Sequence, residues 1–347
     1  MKNLKLIVFT LPFLLNCFCG YSISDDFEIF LPVVQIQHDK NPTILAEMRD
    51  LGMVMGYWYG IDYWLDRIGN EYPDMALEIQ KSKLELEMAF GKGKTKIEDD
   101  LKSIMGEEYK SFIDNVRNNI IKTNDAYSFS KADFYNYLSE VSNMAKGDIP
   151  SPVKEILLMY QFYETPIAEF SEGFVQIIST EKESKASGLH LKYKIPSTWT
   201  TDSGDRPHIV FRHQSERGLG LDNSALFINN LNDELIELNK QQNIGSFFSQ
   251  EWARDYIPEE ATFISYSDFR IDGQPGGKIV YDISYDIAEM TFYYRFAAYV
   301  FIYNDKMVLF QESSGSENKP EVAPRFSKME PLYDAVAGTL VIMNQWE

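Results

Sequence analysis

Cysteine is nearly absent from this chain of 347 residues: it has two, Cys17 and Cys19, both near the amino terminus. Disulfide scaffolds, thiolate zinc sites and iron–sulfur clusters all need several cysteines. If the segment that carries these two is removed, the sequence excludes those classes, and it excludes cysteine nucleophiles as well. The remaining body, about 320 residues long, is large enough to be held together by an apolar core.

Histidine is also scarce, with four in the chain. The sequence has neither the HExxH pair of a zinc protease nor the GxSxG turn of a serine hydrolase. His208 and His213 lie five residues apart on a predicted strand, which places them on opposite faces. The sequence therefore predicts no metal centre and no cofactor, and it gives hydrolase chemistry no positive support.

Basic charge is in deficit, because 33 lysines and arginines face 52 aspartates and glutamates. The formal net charge is −19. An acidic surface of this kind repels phosphate backbones and anionic lipid, so we expect no nucleic-acid partner. Hydrophobic residues make up 44% of the chain, which is typical of a globular protein and too many for a disordered one.

Long apolar runs are missing too, apart from a short one at the start of the chain. Two lysines precede an apolar run over residues 6–15, and small residues follow up to Ser22. This order is typical of a secretory signal peptide, which we predict over residues 1–22. The run is about half the length that a bilayer requires, so we predict no transmembrane segment in the mature chain.

The signal peptide predicts export, which would make the protein periplasmic or secreted. A second interpretation is a lipid anchor at Cys19. A lipoprotein signal needs a small residue directly before the modified cysteine, and Phe18 stands at that position.

Apolar residues then repeat at helical spacing through residues 23–178, for which we predict a helical domain. Asn41 and Pro42 are typical of a helix start, and Ser130 followed by Asp133 has the spacing of a capping box. The predicted helical segments are 41–69, 73–91, 95–122, 130–147 and 151–166.

The segment FGKGKTKIEDD, residues 90–100, briefly resembles a phosphate-binding loop. The pattern lacks its first glycine, and the preceding segment has helical rather than strand spacing. Thr95 and Glu98 have the spacing of a capping box. We therefore predict a solvated turn followed by a capped helix.

Three glycines, Gly52, Gly56 and Gly60, recur every four residues within the first predicted helix. They form one stripe along it, and such a stripe lets a second helix approach closely. The second helix can belong to the same chain or to a partner, and the sequence leaves both interpretations open.

The apolar spacing changes after residues 179–188, a polar stretch that we predict to be a linker. Over residues 188–347, strand patterns cluster between helical ones without βαβ alternation. We therefore predict the fold class α+β, with a helical domain followed by an antiparallel sheet covered by helices. The predicted strands are 189–196, 207–215, 224–231, 262–272, 277–286, 290–303 and 306–313, and the predicted helices are 232–242, 245–257 and 329–346.

Four features of this second half suggest a family. They are the strand, proline and tryptophan of YKIPSTW (193–199), the paired strands around DGQPGGKIVYDISY (272–285), a hairpin over Asn304–Lys306, and the closing helix of PLYDAVAGTLVIMNQW (331–346). In this order of elements the second half resembles the Mog1/PsbP-like fold, an α/β/α sandwich. The resemblance implies a binding or accessory role and transfers no functional residue.

One basic stretch, RPHIVFRHQSERG at 206–218, stands out from the acidic sequence. Alternate positions of a strand would place Arg206, His208 and Arg212 on one face, where they can converge on an anion. The alternative is that the arginines pair with neighbouring carboxylates.

From the export signal, the resemblance and the incomplete catalytic motifs, we predict an exported, non-enzymatic binding or accessory protein. Its partner would be another protein or an envelope component. The alternative is a small-molecule or carbohydrate-handling enzyme with its site in a cleft between the domains. A carboxylate pair or a serine–histidine contact with displaced pKa values would favour the enzyme.

Overall fold

The computed structural model describes residues 42–124, 128, 130–218, 220–231, 235–237, 247–287 and 290–346. The predicted signal peptide, with both cysteines, lies outside these residues. The chain divides into two compact units, Met1–Gln161 and Phe162–Glu347. None of the helices in the described part of the chain has the length and apolar character to cross a membrane.

The first unit is helical, as predicted. Its first described helix begins at Pro42, the predicted first helical position, whereas the predicted N-cap, Asn41, lies outside the described residues. The capping box predicted at Ser130 and Asp133 is confirmed, because each side chain accepts a hydrogen bond from the other's amide. The described helices of this unit are α1 (Pro42–Glu71), α2 (Ala76–Met105), α3 (Glu108–Asn124), α4 (Lys131–Met144) and α5 (Ser151–Gln161).

A single helix, α2, covers most of the predicted helix 73–91, the turn predicted within 90–100 and the first part of the predicted helix 95–122, whose remainder forms α3. Thr95 and Glu98 lie inside α2 rather than at a helix start, so the second capping box was wrong. The chain turns later, at Gly106, whose φ of 57° is left-handed and is tolerated by glycine.

The contact made by Gly93 explains why α2 continues through this glycine-rich stretch. A Cβ atom at Gly93 would lie 2.7 Å from the carbonyl oxygen of Leu157 and 3.0 Å from the amide nitrogen of Gln161, both on α5. The Gly93 amide also donates to Oε1 of Gln161 at 2.7 Å. This close approach offsets the roughly 1 kcal/mol that a glycine costs inside a helix.

The predicted glycine stripe lies on α1. A Cβ atom at Gly52 would be 3.0 Å from Cζ of Phe112, and one at Gly56 would be 4.0 Å from Cγ1 of Val116. Gly60 is buried on the same helix. Two of the three glycines thus face α3 within the same unit.

Replacing Gly93 by alanine is expected to lower the free energy of unfolding by about 1–3 kcal/mol, because the new methyl group would overlap the α5 backbone. Gly56→Ala is the matched control, since its methyl group meets an ordinary contact of 4.0 Å. Alanine favours a helix by about 1 kcal/mol over glycine, so this control should be at least as stable as wild type. Urea unfolding measures the free energy of unfolding of both variants. Equal losses of stability in the two would contradict the close contact between α2 and α5.

The second unit contains two antiparallel sheets, as the predicted α+β class requires. One has the strand order β1-β2-β10 and the other β3-β4-β5-β9-β8-β7-β6. The strands are β1 (Val175–Ser179), β2 (Leu191–Pro196), β3 (Thr200–Ser203), β4 (Ile209–Gln214), β5 (Asp222–Asn230), β6 (Thr262–Ile271), β7 (Gln274–Ile287), β8 (Met290–Tyr303), β9 (Lys306–Ser316) and β10 (Val341–Ile342).

The predicted linker, 179–188, lies inside this second unit. The amide of Thr180 donates to the carbonyl of Leu191 at 3.0 Å, and the Ala186 side chain is buried. The division between the units comes earlier in the chain, after Gln161.

Three helices of six or more residues accompany the sheets in the described part of this unit: α6 (Pro166–Ser171), α7 (Gln250–Tyr256) and α8 (Lys319–Gly338). The last helix starts before its predicted beginning at residue 329 and ends before the predicted 346. It ends at Gly338 because the residues beyond it form β10, which pairs with β2. The predicted helix 232–242 lies mostly outside the described residues.

The seven-stranded sheet is apolar on both faces. We call the inner face the side that packs under α8 and β2, with Tyr299 and Phe310 at its centre. The outer face is the opposite side, where Ile279 and Val300 pack against α7 and the preceding Phe248. A helix on each side of a sheet is the arrangement that buries both faces.

Candidate functional site

The predicted anion-binding residues lie within β4 and in the segment just before it. Arg206 and His208 precede the strand, so the predicted strand face does not extend to them. The His208 ring stacks on Phe227, with centroids 5.9 Å apart. Arg212 is exposed, and its Nη1 donates to Oδ2 of Asp205 at 2.6 Å. An anion site at Arg206, His208 and Arg212 stays a prediction, and the Asp205 contact is the carboxylate pairing that the alternative expects.

The inner face carries three polar residues side by side on adjacent strands. The strand register pairs His213 of β4 with Ser224 of β5, and Ser224 with Glu312 of β9. Their exposed fractions are 1%, 2% and 0%. We call these three residues the inner polar row. Opposed side chains in a sheet have Cβ atoms about 4.5–5.5 Å apart, so the three groups are neighbours within the core.

His213 is held by two hydroxyl groups. Its Nε2 shares a hydrogen bond of 2.7 Å with the Tyr193 hydroxyl, and its Nδ1 shares one of 2.9 Å with Oγ1 of Thr201. Burial lowers the pKa of His213 to about 3, so the ring is neutral at physiological pH. Because both ring nitrogens are engaged elsewhere, His213 makes no base–nucleophile contact with Ser224.

Glu312 is the most unusual group in the row. Neither of its carboxyl oxygens has a hydrogen-bond partner of ordinary geometry among the described residues, and the same holds for the Ser224 hydroxyl. Burial raises the pKa of Glu312 well above its ordinary value; the Ser224 hydroxyl opposes this rise and the charge of Asp222 adds to it. Burial therefore favours the protonated form of Glu312.

An ion pair between the half-buried Arg325 and the buried Asp222 lies beside the row and ties α8 to the sheet. Arg325 donates from Nε to Oδ1 of Asp222 at 3.0 Å and from Nη2 to Oδ2 at 2.6 Å. The Tyr333 hydroxyl, also on α8, donates to the carbonyl oxygen of Ser313 at 2.8 Å. The contact between Arg325 and Asp222 is therefore bidentate, which is the strongest form of an arginine–carboxylate contact.

A second charged contact ties α8 to β7. Nζ of Lys278, which is 8% exposed, donates to Oε1 of Glu330 and to Oδ1 of Asp334, both at 2.7 Å. The Tyr299 hydroxyl donates to the same Asp334 oxygen at 2.6 Å. These ionisable groups neutralise each other and position α8.

Glu169 of α6 is another buried carboxyl, and it caps the turn after β2. It accepts hydrogen bonds from the Thr198 amide at 3.0 Å, the Thr198 hydroxyl at 2.9 Å and the Ser197 hydroxyl at 3.2 Å. Burial raises the pKa of Glu169 to about 7 against these three donors, which favour the charged form. Glu169 therefore holds α6 to the turn after β2.

On the outer face, four aromatic rings form a continuous row that runs from the core to the surface. Tyr281 stacks on Phe296 at 5.2 Å, Phe296 contacts Tyr294 at 5.9 Å, and Tyr294 contacts Tyr285 at 6.0 Å. Tyr281 is 6% exposed and Tyr285 is 44% exposed. We call these four residues the outer aromatic row.

The sheet is shaped to carry these rings. A Cβ atom at Gly315 would lie 2.5 Å from Cε1 of Tyr294, so the Tyr294 ring packs closely against this glycine on the neighbouring strand. The Gln311 side chain donates to the hydroxyl of Tyr281 at 2.6 Å. Contacts within the sheet thus hold the buried half of the row in place.

The exposed end of the row is apolar, with one carboxylate beside it. Met290 at the start of β8 is 48% exposed, close to the value for Tyr285. The charge of Glu260 raises the pKa of Tyr285, after the larger effect of burial, which shows that the carboxylate lies nearby. Asp286, the next residue of β7, points to the other face of the sheet, where it accepts a hydrogen bond from the Thr291 hydroxyl at 2.7 Å. We call Tyr285, Met290 and Glu260 the outer patch.

Sequence patterns missed the inner polar row and the outer aromatic row, because both depend on which strands pair. One signal was present: Glu312 stands in the inward-facing alternation Val308, Phe310, Glu312 of β9, where an apolar residue is expected. Across the described ranges, no group of three or more histidines, cysteines or carboxylates is placed to hold a metal ion.

No protein family model matches the chain, and no curated protein matches it. Among solved structures, it is similar to LpqN of Mycobacterium tuberculosis, described as involved in cell envelope biogenesis: identity is 10%, the TM-score is 0.29, and the match covers 50% of this chain and 95% of that one. It is also similar to PA94 of Pseudomonas aeruginosa, described as a protein of unknown function, with 11% identity, a TM-score of 0.23, and coverage of 49% and 97%. These likenesses are weak and carry no argument about fold or function.

Proposed function

We propose that this chain is an exported, non-enzymatic binding or accessory protein that holds a protein partner on its outer patch. The observation that carries the proposal is the outer aromatic row, whose rings are anchored in the core at one end and exposed at the other. Exposed apolar groups on a rigid support, surrounded by polar residues, are typical of contact sites between proteins.

The chemistry of the outer patch selects the kind of partner. Glu260 is negative, and the whole chain carries an excess of carboxylates. A complementary partner segment is therefore cationic as well as apolar, since opposite charges steer association and like charges suppress it. The displaced pKa values of His213, Glu312 and Glu169 belong to buried groups of the core, and they do not form the open catalytic cleft that the enzyme alternative requires.

Two finer features belong to the same proposal. We propose that the second unit has the Mog1/PsbP-like arrangement, which is supported by an antiparallel sheet with α8 on one face and α7 on the other. We also propose a periplasmic or secreted location, supported by the signal-like segment at 1–22, with a lipid anchor at Cys19 as the alternative.

The test is site-specific crosslinking in the cells that make the protein. A photo-reactive residue at Tyr285 is expected to capture one discrete partner, and Glu260→Lys should reduce that capture because it repels a cationic segment. The same photo-reactive residue at Met88, an exposed apolar position of α2 in the first unit, is the control. Labelling from Met88 and not from Tyr285 would place the contact on the first unit and contradict the proposal.

A further inference from the structure

The outermost strand of the large sheet, β6, is long and pairs on one side. It spans ten residues, Thr262–Ile271, and among the described residues its strand partner is β7. The opposite edge of the same sheet, β3, is four residues long. A long edge strand offers a row of backbone groups to another strand, and natural proteins cover, twist or charge such edges.

The charges on this edge are of both signs and lie close together. Asp268 and Arg270 are two residues apart, so they share the outer face, and both are exposed. Asp268 accepts a hydrogen bond from the Tyr266 hydroxyl at 2.9 Å, and Arg270 donates to the carbonyl of Gly273 at 3.2 Å. Neither forms an ion pair with another residue in the described ranges.

The turn that follows β6 fixes which backbone groups point outward. Asp272 and Gly273 have φ values of 47° and 82°, the left-handed pair of a two-residue hairpin turn, and Ile271 pairs with Gln274 across it. The two residues that flank such a turn form backbone hydrogen bonds with each other. Along a strand, the backbone N–H and C=O groups of successive residues point alternately toward one neighbouring strand and toward the other. The backbone groups of Asp268 and Arg270 therefore point away from β7, toward the open edge.

We propose that β6 pairs with the β6 strand of a second copy of this chain, antiparallel about a twofold axis at Phe269. In this register Asp268 of each copy lies opposite Arg270 of the other, so one strand pair contains two cross-strand ion pairs. The outward backbone groups of the same two residues face each other and can exchange hydrogen bonds. The contact is isologous, and it joins the two large sheets into one continuous sheet.

Charge complementarity selects a second copy as the occupant. A neighbouring strand of the same sequence supplies a carboxylate opposite each guanidinium, and directly opposed charges of opposite sign stabilise antiparallel pairs. A shift of the axis by one residue, to Asp268 or Arg270, loses both pairs. The proposal stands on β6 alone and does not depend on the partner proposed for the outer patch.

Sedimentation equilibrium of the purified wild-type chain over a range of concentrations tests the inference. We expect a monomer–dimer equilibrium for wild type. Asp268→Arg alone places like charges opposite each other twice, so we expect dimer association at least about tenfold weaker. Arg270→Asp alone should have the same effect. Glu259→Lys changes an exposed carboxylate outside β6 and is the control, expected to leave association unchanged.

The decisive sample is a mixture of the two single variants. Each of them repels its own copies, but in the mixed dimer every charge on one strand faces its opposite on the other, so we expect association to return to the wild-type level. Far-UV circular dichroism checks that both variants are folded. A wild-type chain that is monomeric at every concentration would overturn the inference, and so would a dimer that neither single variant weakens or that the mixture does not restore.

Discussion

Arg325→Met is expected to lower the free energy of unfolding of the second unit by about 3 kcal/mol or more. The reason is that the substitution leaves the Asp222 carboxylate without a positively charged partner. The Asp222 side chain is 7% exposed, and its carboxylate would remain buried near Glu312 without its guanidinium. Removing one partner of such an ion pair lowers stability by more than the intact pair contributes. The remaining charge has lost its hydration and has no opposite charge to compensate for that loss.

The matched control is Arg212→Met, which removes an arginine–aspartate contact of the same length. Both ion pairs measure 2.6 Å, but the side chain of Asp205 is 72% exposed. Exposed pairs contribute about 0–1 kcal/mol, so this variant should stay close to wild type. Urea unfolding, with pulse proteolysis to follow the second unit, gives both values. Equal losses would show that burial of Asp222 does not determine the effect.

The second large effect is expected from Glu312→Gln, and it depends on pH. The folded-state pKa of Glu312 is raised above its unfolded value, so the folded state holds a proton that the unfolded state releases. The stability contribution of this group is therefore present below the unfolded pKa, about 4.3, and is lost as the pH rises toward the folded pKa. Glutamine has the same shape and does not titrate.

We expect the two proteins to have similar stability near pH 5. Above pH 5 and up to the folded-state pKa of Glu312, the variant should gain stability relative to wild type, with a slope of at most about 1.4 kcal/mol per pH unit. Urea unfolding at a series of pH values measures the difference in unfolding free energy between the variant and wild type. The titrations of Glu169 and His213 occur in both proteins and therefore cancel in this difference. Glu172→Gln removes an exposed carboxyl of the same unit and is the control. A difference for Glu312→Gln that does not change with pH would mean that this carboxyl is not buried in protonated form.

Much of the fold follows from local signals. The start at Pro42 and the capping box at Ser130 depend on residues within one turn of each other, and strand alternation predicted the antiparallel α+β class. The break predicted in α2 was wrong because a contact with α5, some sixty residues later in the chain, offsets the cost of Gly93. Local propensity holds no information about such a contact.

The candidate sites were harder to predict for a related reason. The inner polar row joins His213, Ser224 and Glu312, which become neighbours only through the register of β4, β5 and β9. The outer patch likewise depends on which face of β7 and β8 is covered by α7. The sequence shows that these residues alternate along their strands, but it does not show which strands pair.

The central claim is that this protein binds a partner through the outer patch, and an affinity measurement tests it most directly. The crosslinked partner, once identified, is titrated against wild type and against the double variant Tyr285→Ser with Met290→Ser. The control is Leu84→Ser with Met88→Ser, which removes exposed apolar groups from α2 instead. The account predicts a dissociation constant at least about tenfold higher for the outer-patch variant and little change for the control. Equal affinities for wild type and the outer-patch variant would contradict it.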